Sequence, residues 1–260
     1  MTTNRVSVVA LRDRLKQQAA EALTDFSTQL RTMKQQVQKT SDTRLAELIG
    51  VRHPTVGRIL DASRPGASGV AIKSWLAAWH RAGMLEPAMK GYYRRLHAWS
   101  KTPKVQAAIE QAGQRPERVH EMIVQMAASE QEKDRDSAVA SALLQLALGA
   151  ELYLEYARRD PINHSQLAEI LGITPPTAKR LTSPIDDSGQ GTKVETYLML
   201  WALMGTLPEM AKALQAALDQ ALGNPKKARA ELGADFEKGD EPVQENTLDA
   251  KPRFAMAPRL

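Results

Sequence analysis

Cysteine is absent from the 260 residues. That excludes disulfides, thiolate metal sites and cysteine nucleophiles, and it suits a reducing cytoplasm. No uninterrupted apolar run reaches the ~18–20 residues of a membrane span, so no membrane partner is expected. The first ten residues carry only a brief apolar patch before Arg12-Asp13-Arg14, which makes a poor signal peptide. The five histidines (His53, His80, His97, His120, His164) include no pair at metal-ligand spacing. A P-loop, a dinucleotide fingerprint, a nucleophile elbow and a paired-carboxylate motif are all missing. The chain is therefore not read as an enzyme, and no catalytic residue, metal or cofactor is expected. No separate ligand domain is evident either, so no small-molecule ligand is expected.

What the chain does contain is Ala, Leu, Gln, Glu, Arg and Lys, with few β-branched runs. These are helix formers, and they predict an all-α fold. Leu11, Leu15, Ala19, Ala22, Phe26, Leu30, Met33 and Val37 recur at spacings of three and four, the stripe of a long amphipathic leading helix. Such a stripe packs on its own domain or forms a homodimer seam. A second long, strongly apolar helix is expected from about Ser137 to Arg159. Between them, Pro103 and Pro116 open connector helices and Gly113 ends the first. Residues 130–136 (Glu-Gln-Glu-Lys-Asp-Arg-Asp) read as a solvated joint, and the tail after Gly223 as disordered.

The net charge is +5, unevenly spread. Residues 1–41 hold seven basic and three acidic groups, and residues 42–101 hold ten and four. Residues 102–163 hold seven and ten, and residues 164–222 hold four and six. A cationic front suggests a polyanionic partner, nucleic acid first.

The chain also repeats itself. Shifted by 122 positions, residues 45–96 align with 167–218 without a gap, and fourteen of those 52 positions are identical. "LAELIGVRHPTVGRIL" (45–60) returns as "LAEILGITPPTAKRL" (167–181). Both copies continue into a helix with the same tryptophan (Trp79, Trp201) and the same stop, Gly83-Met-Leu85 and Gly205-Thr-Leu207. The pattern reads as a duplicated helical unit. The expected organisation is 1–101 as the first unit with its leading helix, 102–136 as connector, 137–222 as the second unit, and 223–260 as tail.

Each unit resembles the helix-turn-helix DNA-binding domains of phage-repressor (Cro-like) regulators. From Asp42, the diagnostic apolar places hold Leu45, Ile49, Val51, Val56 and Ile59, with Ala46 and Gly50 at the small and turn places. From His164 they hold Leu167, Leu171, Ile173, Ala178 and Leu181, with Ala168 and Gly172. The resemblance covers about 55 residues per copy. It implies that the second helix of each motif reads the major groove of double-stranded DNA. Pro54 presets its start in copy one, and Pro175-Pro176 after a capping Thr174 in copy two.

With Val56 and Ile59 inward, Arg52, His53, Thr55, Gly57 and Arg58 are expected to face DNA. Arg64 and Lys73 are placed for phosphates. The matching positions of copy two are Thr174, Thr177, Lys179 and Arg180, with Lys193 at the start of the next helix. There, Thr192-x-x-Glu195 reads as a capping box. Copy two lies in an anionic stretch and looks the weaker reader. "KGYYRRLHAW" (90–99) reads as an apolar stripe, Leu85, Met89, Tyr92, Leu96 and Trp99, with Arg94 and Arg95 solvated beside it.

These features together predict a sequence-specific transcriptional regulator, a repressor that occupies an operator, with a homodimer as an added option. The alternatives are a centromere-binding or nucleoid-organising protein, and an antitoxin-like interaction scaffold whose second motif is vestigial.

Overall fold

The computed structural model describes residues 2–128, 134–156, 162–183 and 191–232. The expected all-α fold is what they form: helices throughout, with one isolated β-bridge and no strand among the described residues. The first half comprises α1 (Thr2–Thr32), continued by a π-helical turn (Met33–Gln38), then α2 (Asp42–Ile49), α3 (His53–Leu60), α4 (Ile72–Arg81) and α5 (Leu85–Ser100). Next come α6 (Pro103–Gln111) and α7 (Pro116–Ala128), opened by the expected prolines, with Gly113 left-handed between them. The second half comprises α8 (Arg135–Tyr156), α9 (His164–Leu171), α10 (Pro175–Thr182), α11 (Val194–Met204), α12 (Leu207–Gly223) and α13 (Pro225–Glu231).

The two halves meet at two contacts between positions 122 apart and at one close helix crossing, and these three trace an axis. At one end Ala71 and Lys193 form the antiparallel bridge. The Ile72 N–H donates to Thr192 at 2.9 Å, and the Val194 N–H donates to Val70 at 2.8 Å. Next, Trp79 and Trp201 stack with ring centroids 6.4 Å apart and planes 22° apart, both fully buried. Each is met edge-on or tilted by the aromatic four residues before it, Trp75 at 6.2 Å and Tyr197 at 5.8 Å. Last, α5 crosses α12, where Gly91 meets the backbone of Glu209 and Met210. The counterparts of those two residues are Pro87 and Ala88, close to Gly91 itself. A Cβ on Gly91 would lie 2.5 Å from the Glu209 carbonyl oxygen, so only glycine permits this approach. Self-matching contacts of this kind are the signature of a two-fold arrangement.

The leading helices are exchanged across that axis. Although α1 precedes α2 in sequence, it packs mainly on α9, α11 and α12. In the same way α8 precedes α9, yet it lies on α4 as well as α10. Leu15, Ala19, Phe26 and Leu30 of α1 are buried, and Phe26 sets its edge against Trp79 at 5.3 Å. The link from α1 to α2 explains the direction. The left-handed Lys39 (φ 54°) reverses the chain within three residues, sending α2 away from the surface α1 occupies. Lys34 then holds Asp42 at 2.7 Å. The apolar stripe predicted for α1 is therefore correct, but its own half is not its main partner.

Several boundaries move. Residues 225–231 form α13, packed on α12 and the π-helical turn, where the sequence reading has a disordered tail; residues beyond 232 lie outside the described ones. Arg135 and Asp136, read as part of a charged joint, start α8, and the Asp134 carboxylate accepts from the N–H groups of Asp136 and Ser137. The rest of that joint, and the stretch after Tyr156, lie outside the described residues. By length and composition α8 is the one candidate membrane span among the described residues, with a mean hydropathy of 1.4. Half of it is buried inside the protein, the behaviour of a core helix. Gly149 lets it press against Tyr92 and Leu96, and the Tyr92 hydroxyl donates to the Leu146 carbonyl at 3.0 Å. Burial raises the Tyr92 and Tyr93 phenols well above their ordinary range. The α5 stripe is as expected, with Leu85, Met89, Tyr92, Leu96 and Trp99 buried and Arg94 and Arg95 exposed.

Candidate nucleic-acid interface

Both helix–glycine–helix phrases fold alike. Ser41 caps α2, its hydroxyl accepting the Arg44 N–H at 3.1 Å. Asn163 caps α9 in a full capping box with Gln166. Each of these helices ends on a left-handed glycine, Gly50 (φ 68°, ψ 38°) and Gly172 (φ 68°, ψ 36°). A Cβ at either would strain the turn that launches the next helix. Leu45, Ala46, Ile49, Val56 and Ile59 are buried in the first pair, and Leu167, Ala168, Leu171, Ala178 and Leu181 in the second. Val51 and Ile173 are half-buried and pack against the same core.

The side chains predicted to face DNA fall into three groups. Arg52, His53 and Arg58 are exposed on α3 and its N-cap, as are Thr174, Lys179 and Arg180 on α10 and its N-cap. Arg58 and Arg180 occupy equivalent positions, and neither forms an ion pair with a described residue. Thr55 and Thr177, also equivalent, are half-buried on the same two helices. Arg64, Lys73 and Lys193 are exposed on the segments around the bridge.

Gly57 departs from the expected role: it is buried. The loop that follows α3 folds back in successive tight turns and lays the Arg64 guanidinium across it. A Cβ there would approach that guanidinium to 2.3 Å. The same loop brings Gly66 beneath Arg58. Arg64 is tethered by Asp61 at 3.5 Å, and the Ser63 N–H and hydroxyl hold the Asp61 carboxyl below the usual carboxylate range. That contribution is present above the unfolded carboxylate pKa and is lost as pH falls through the lowered value. Gly57→Ala is expected to raise stability by ~0.5–1 kcal/mol, since alanine favours the helix and only the flexible end of Arg64 must give way. A urea titration of the variant checks this; a loss of stability would show that Arg64 cannot move.

Two capping assignments change. The Thr174 hydroxyl makes no cap and instead pairs with the Thr177 hydroxyl at 2.9 Å. The Thr192–Glu195 capping box is also not formed. Lys193 is the N-cap of α11, and the Glu195 N–H that such a box would use donates instead to the Ser68 carbonyl of the other half at 3.3 Å. Only the tertiary pairing of the two halves supplies that competing acceptor. The loop between α10 and Gly191 lies outside the described residues.

The sequence reading missed two arginines. Arg12 of α1 donates to the Glu169 carbonyl at the end of α9 and lies against Gly172. Arg135 of α8 donates to the Leu48 carbonyl at the end of α2, at 3.4 Å, and lies against Gly50. Each exchanged helix thus sets a cation on the carbonyl end of the other half's first motif helix, where the helix dipole favours it. The Arg135 guanidinium is held further in its charged form by Asp136. An arginine near the front of each leading helix was visible in sequence, but its target was not.

The exchange also redistributes charge. The stretch from Thr2 to Gln38 carries six basic and three acidic groups and lies mainly against the anionic second half. The stretch from Arg135 to Tyr156 carries one and three and lies on α4 and α5 of the strongly cationic first half as well as on α10. Summing along the chain therefore overstates the contrast between the two motifs. No protein family, curated protein or solved structure matches the chain.

Proposed function

We propose that the protein is a sequence-specific double-stranded DNA-binding regulator, a repressor, that reads the major groove with α3 and α10. The observation that carries this is the exposure of Arg58 and Arg180 at the same position of two helices, each started by proline and aimed by a left-handed glycine. The planar guanidinium matches the O6 and N7 acceptors of guanine and is worth ~1–3 kcal/mol of discrimination per good bidentate pair. Arg52, His53, Thr55, Thr174, Thr177 and Lys179 complete the reading surfaces, and Arg64, Lys73 and Lys193 meet phosphates. The charge brought to α9 by α1 supports a second reader that contributes to binding.

Footprinting on the promoter region that precedes the protein's own gene, across a salt series, tests the proposal. The expected result is a defined protected site, affinity falling steeply with salt, and a discrimination loss of about 5- to 150-fold for Arg58→Ala, from the 1–3 kcal/mol above. Uniform protection of all sequences by both wild type and variant would remove the reader assignment. Binding to a protein that persists at high salt, with no DNA retained, would favour the scaffold alternative.

A further inference from the structure

We infer that one chain is a complete reading dimer: a single copy binds two inverted, unequal half-sites, without a second subunit. The inference rests on the DNA-binding proposal above and adds the geometry and composition of the target.

The axis traced by Ala71–Lys193, Trp79–Trp201 and the α5–α12 crossing relates the two halves of one molecule. It enters at the bridge, beside which α4 and α11 both start, and leaves where α5 crosses α12. The helix that follows each reader in the chain thus begins at the same end of the axis. A two-fold axis shared by protein and DNA inverts the second half-site relative to the first, and readers in successive major grooves place the half-site centres about 10 base pairs apart. In repressors built from two copies the axis lies between subunits. Here it lies inside one chain, and the exchange of α1 and α8 fixes it: neither half can rotate away without uncovering the buried faces of both helices.

The two readers share some contacts and differ in others, and the axis says where. Arg58 matches Arg180 and Thr55 matches Thr177, so each half-site carries the same arginine-read base at the same distance from the centre, on opposite strands. Arg52-His53 faces Thr174-Pro175, and the buried Gly57 stands opposite the exposed Lys179. Those differences are covalent, so the chain cannot average them as a symmetric homodimer does. The target is an imperfect inverted repeat, with guanines in symmetric places and unlike bases elsewhere, and the protein binds it in one orientation only.

Selection of binding sites from random duplex DNA by the full chain tests this, with the mass of the complex measured by sedimentation. The expected result is one chain per site and an imperfect inverted repeat. Arg58→Ala is expected to erase the guanine preference in one half-site and Arg180→Ala in the other; both side chains are exposed, and circular dichroism checks that the fold is kept. A direct repeat, a single half-site indifferent to Arg180→Ala, or two chains each using one reader would overturn the inference while leaving DNA binding intact. If no sequence is enriched at all, the DNA-binding proposal itself fails and takes the inference with it.

Discussion

Trp79→Ala is expected to lower the free energy of unfolding by about 3–5 kcal/mol, the usual cost of emptying a buried tryptophan site. Trp79 is 1% exposed and sits where Trp201, Trp75 and Phe26 converge. Three helices, α1, α4 and α11, meet on that ring, so no single one can close the cavity by shifting alone. Domains have only ~5–15 kcal/mol in total, and the loss would be felt throughout. Because the ring joins both halves, α2–α3 and α9–α10 are expected to lose hydrogen-exchange protection together, in one urea transition. The indole N–H of Trp79 has no hydrogen-bond partner among the described residues, so its burial already costs some stability. Trp79→Phe keeps the apolar contact without that orphan donor and is expected to lose less than half as much. A loss below about 1 kcal/mol for the alanine variant, or unfolding of one half alone, would contradict a core shared across the axis.

Separating the halves is expected to have the second large effect. Cleavage at a protease site introduced within residues 129–133 should leave the two pieces associated, migrating as one species. Expressed alone, residues 1–128 and residues 134–260 should each be largely unfolded by circular dichroism, and mixing them should restore helicity. The first piece would keep the Phe26–Trp79 contact, but the rest of the buried face of α1, Leu15 and Leu30 included, would lose the α9, α11 and α12 surfaces on which that helix mainly packs, and α4 would lose α8. The second would lack the helix that covers α9, α11 and α12. Each such side chain contributes ~1.5–3 kcal/mol on burial, more than half a protein of this size can spare. Two stable, independently folded fragments would show that the exchange of leading helices is not what holds the molecule together.

Local structure was largely legible in the sequence. The stripes of α1 and α5, the proline starts of α3, α6, α7 and α10, and the glycine turns at Gly50 and Gly172 follow from periodicity and backbone sterics, which act within a few residues. Local rules also misled. Thr192 has the spacing of a capping box, but the Glu195 N–H it would cap donates to Ser68 of the other half. Gly57 lies on the exposed arc of a helical wheel, yet a returning loop covers it. Residues 225–231 lack a strong apolar stripe, yet they are helical against α12 and the π-helical turn.

The sequence by itself determined the all-α class, the matched helix–glycine–helix phrases and, Gly57 apart, the residues that their second helices turn outward. Helix formation and turn geometry depend on spacings of two to four residues, and those are written in the chain. Only the tertiary structure decided which half each leading helix serves, and therefore where charge accumulates. Arg12 stands in a cationic segment, but its partner is Glu169, 157 positions away. Apolar stripes carry no address: they are satisfied by any complementary surface, and α1 finds its main one on α9, α11 and α12, while its Phe26 meets Trp79 of its own half.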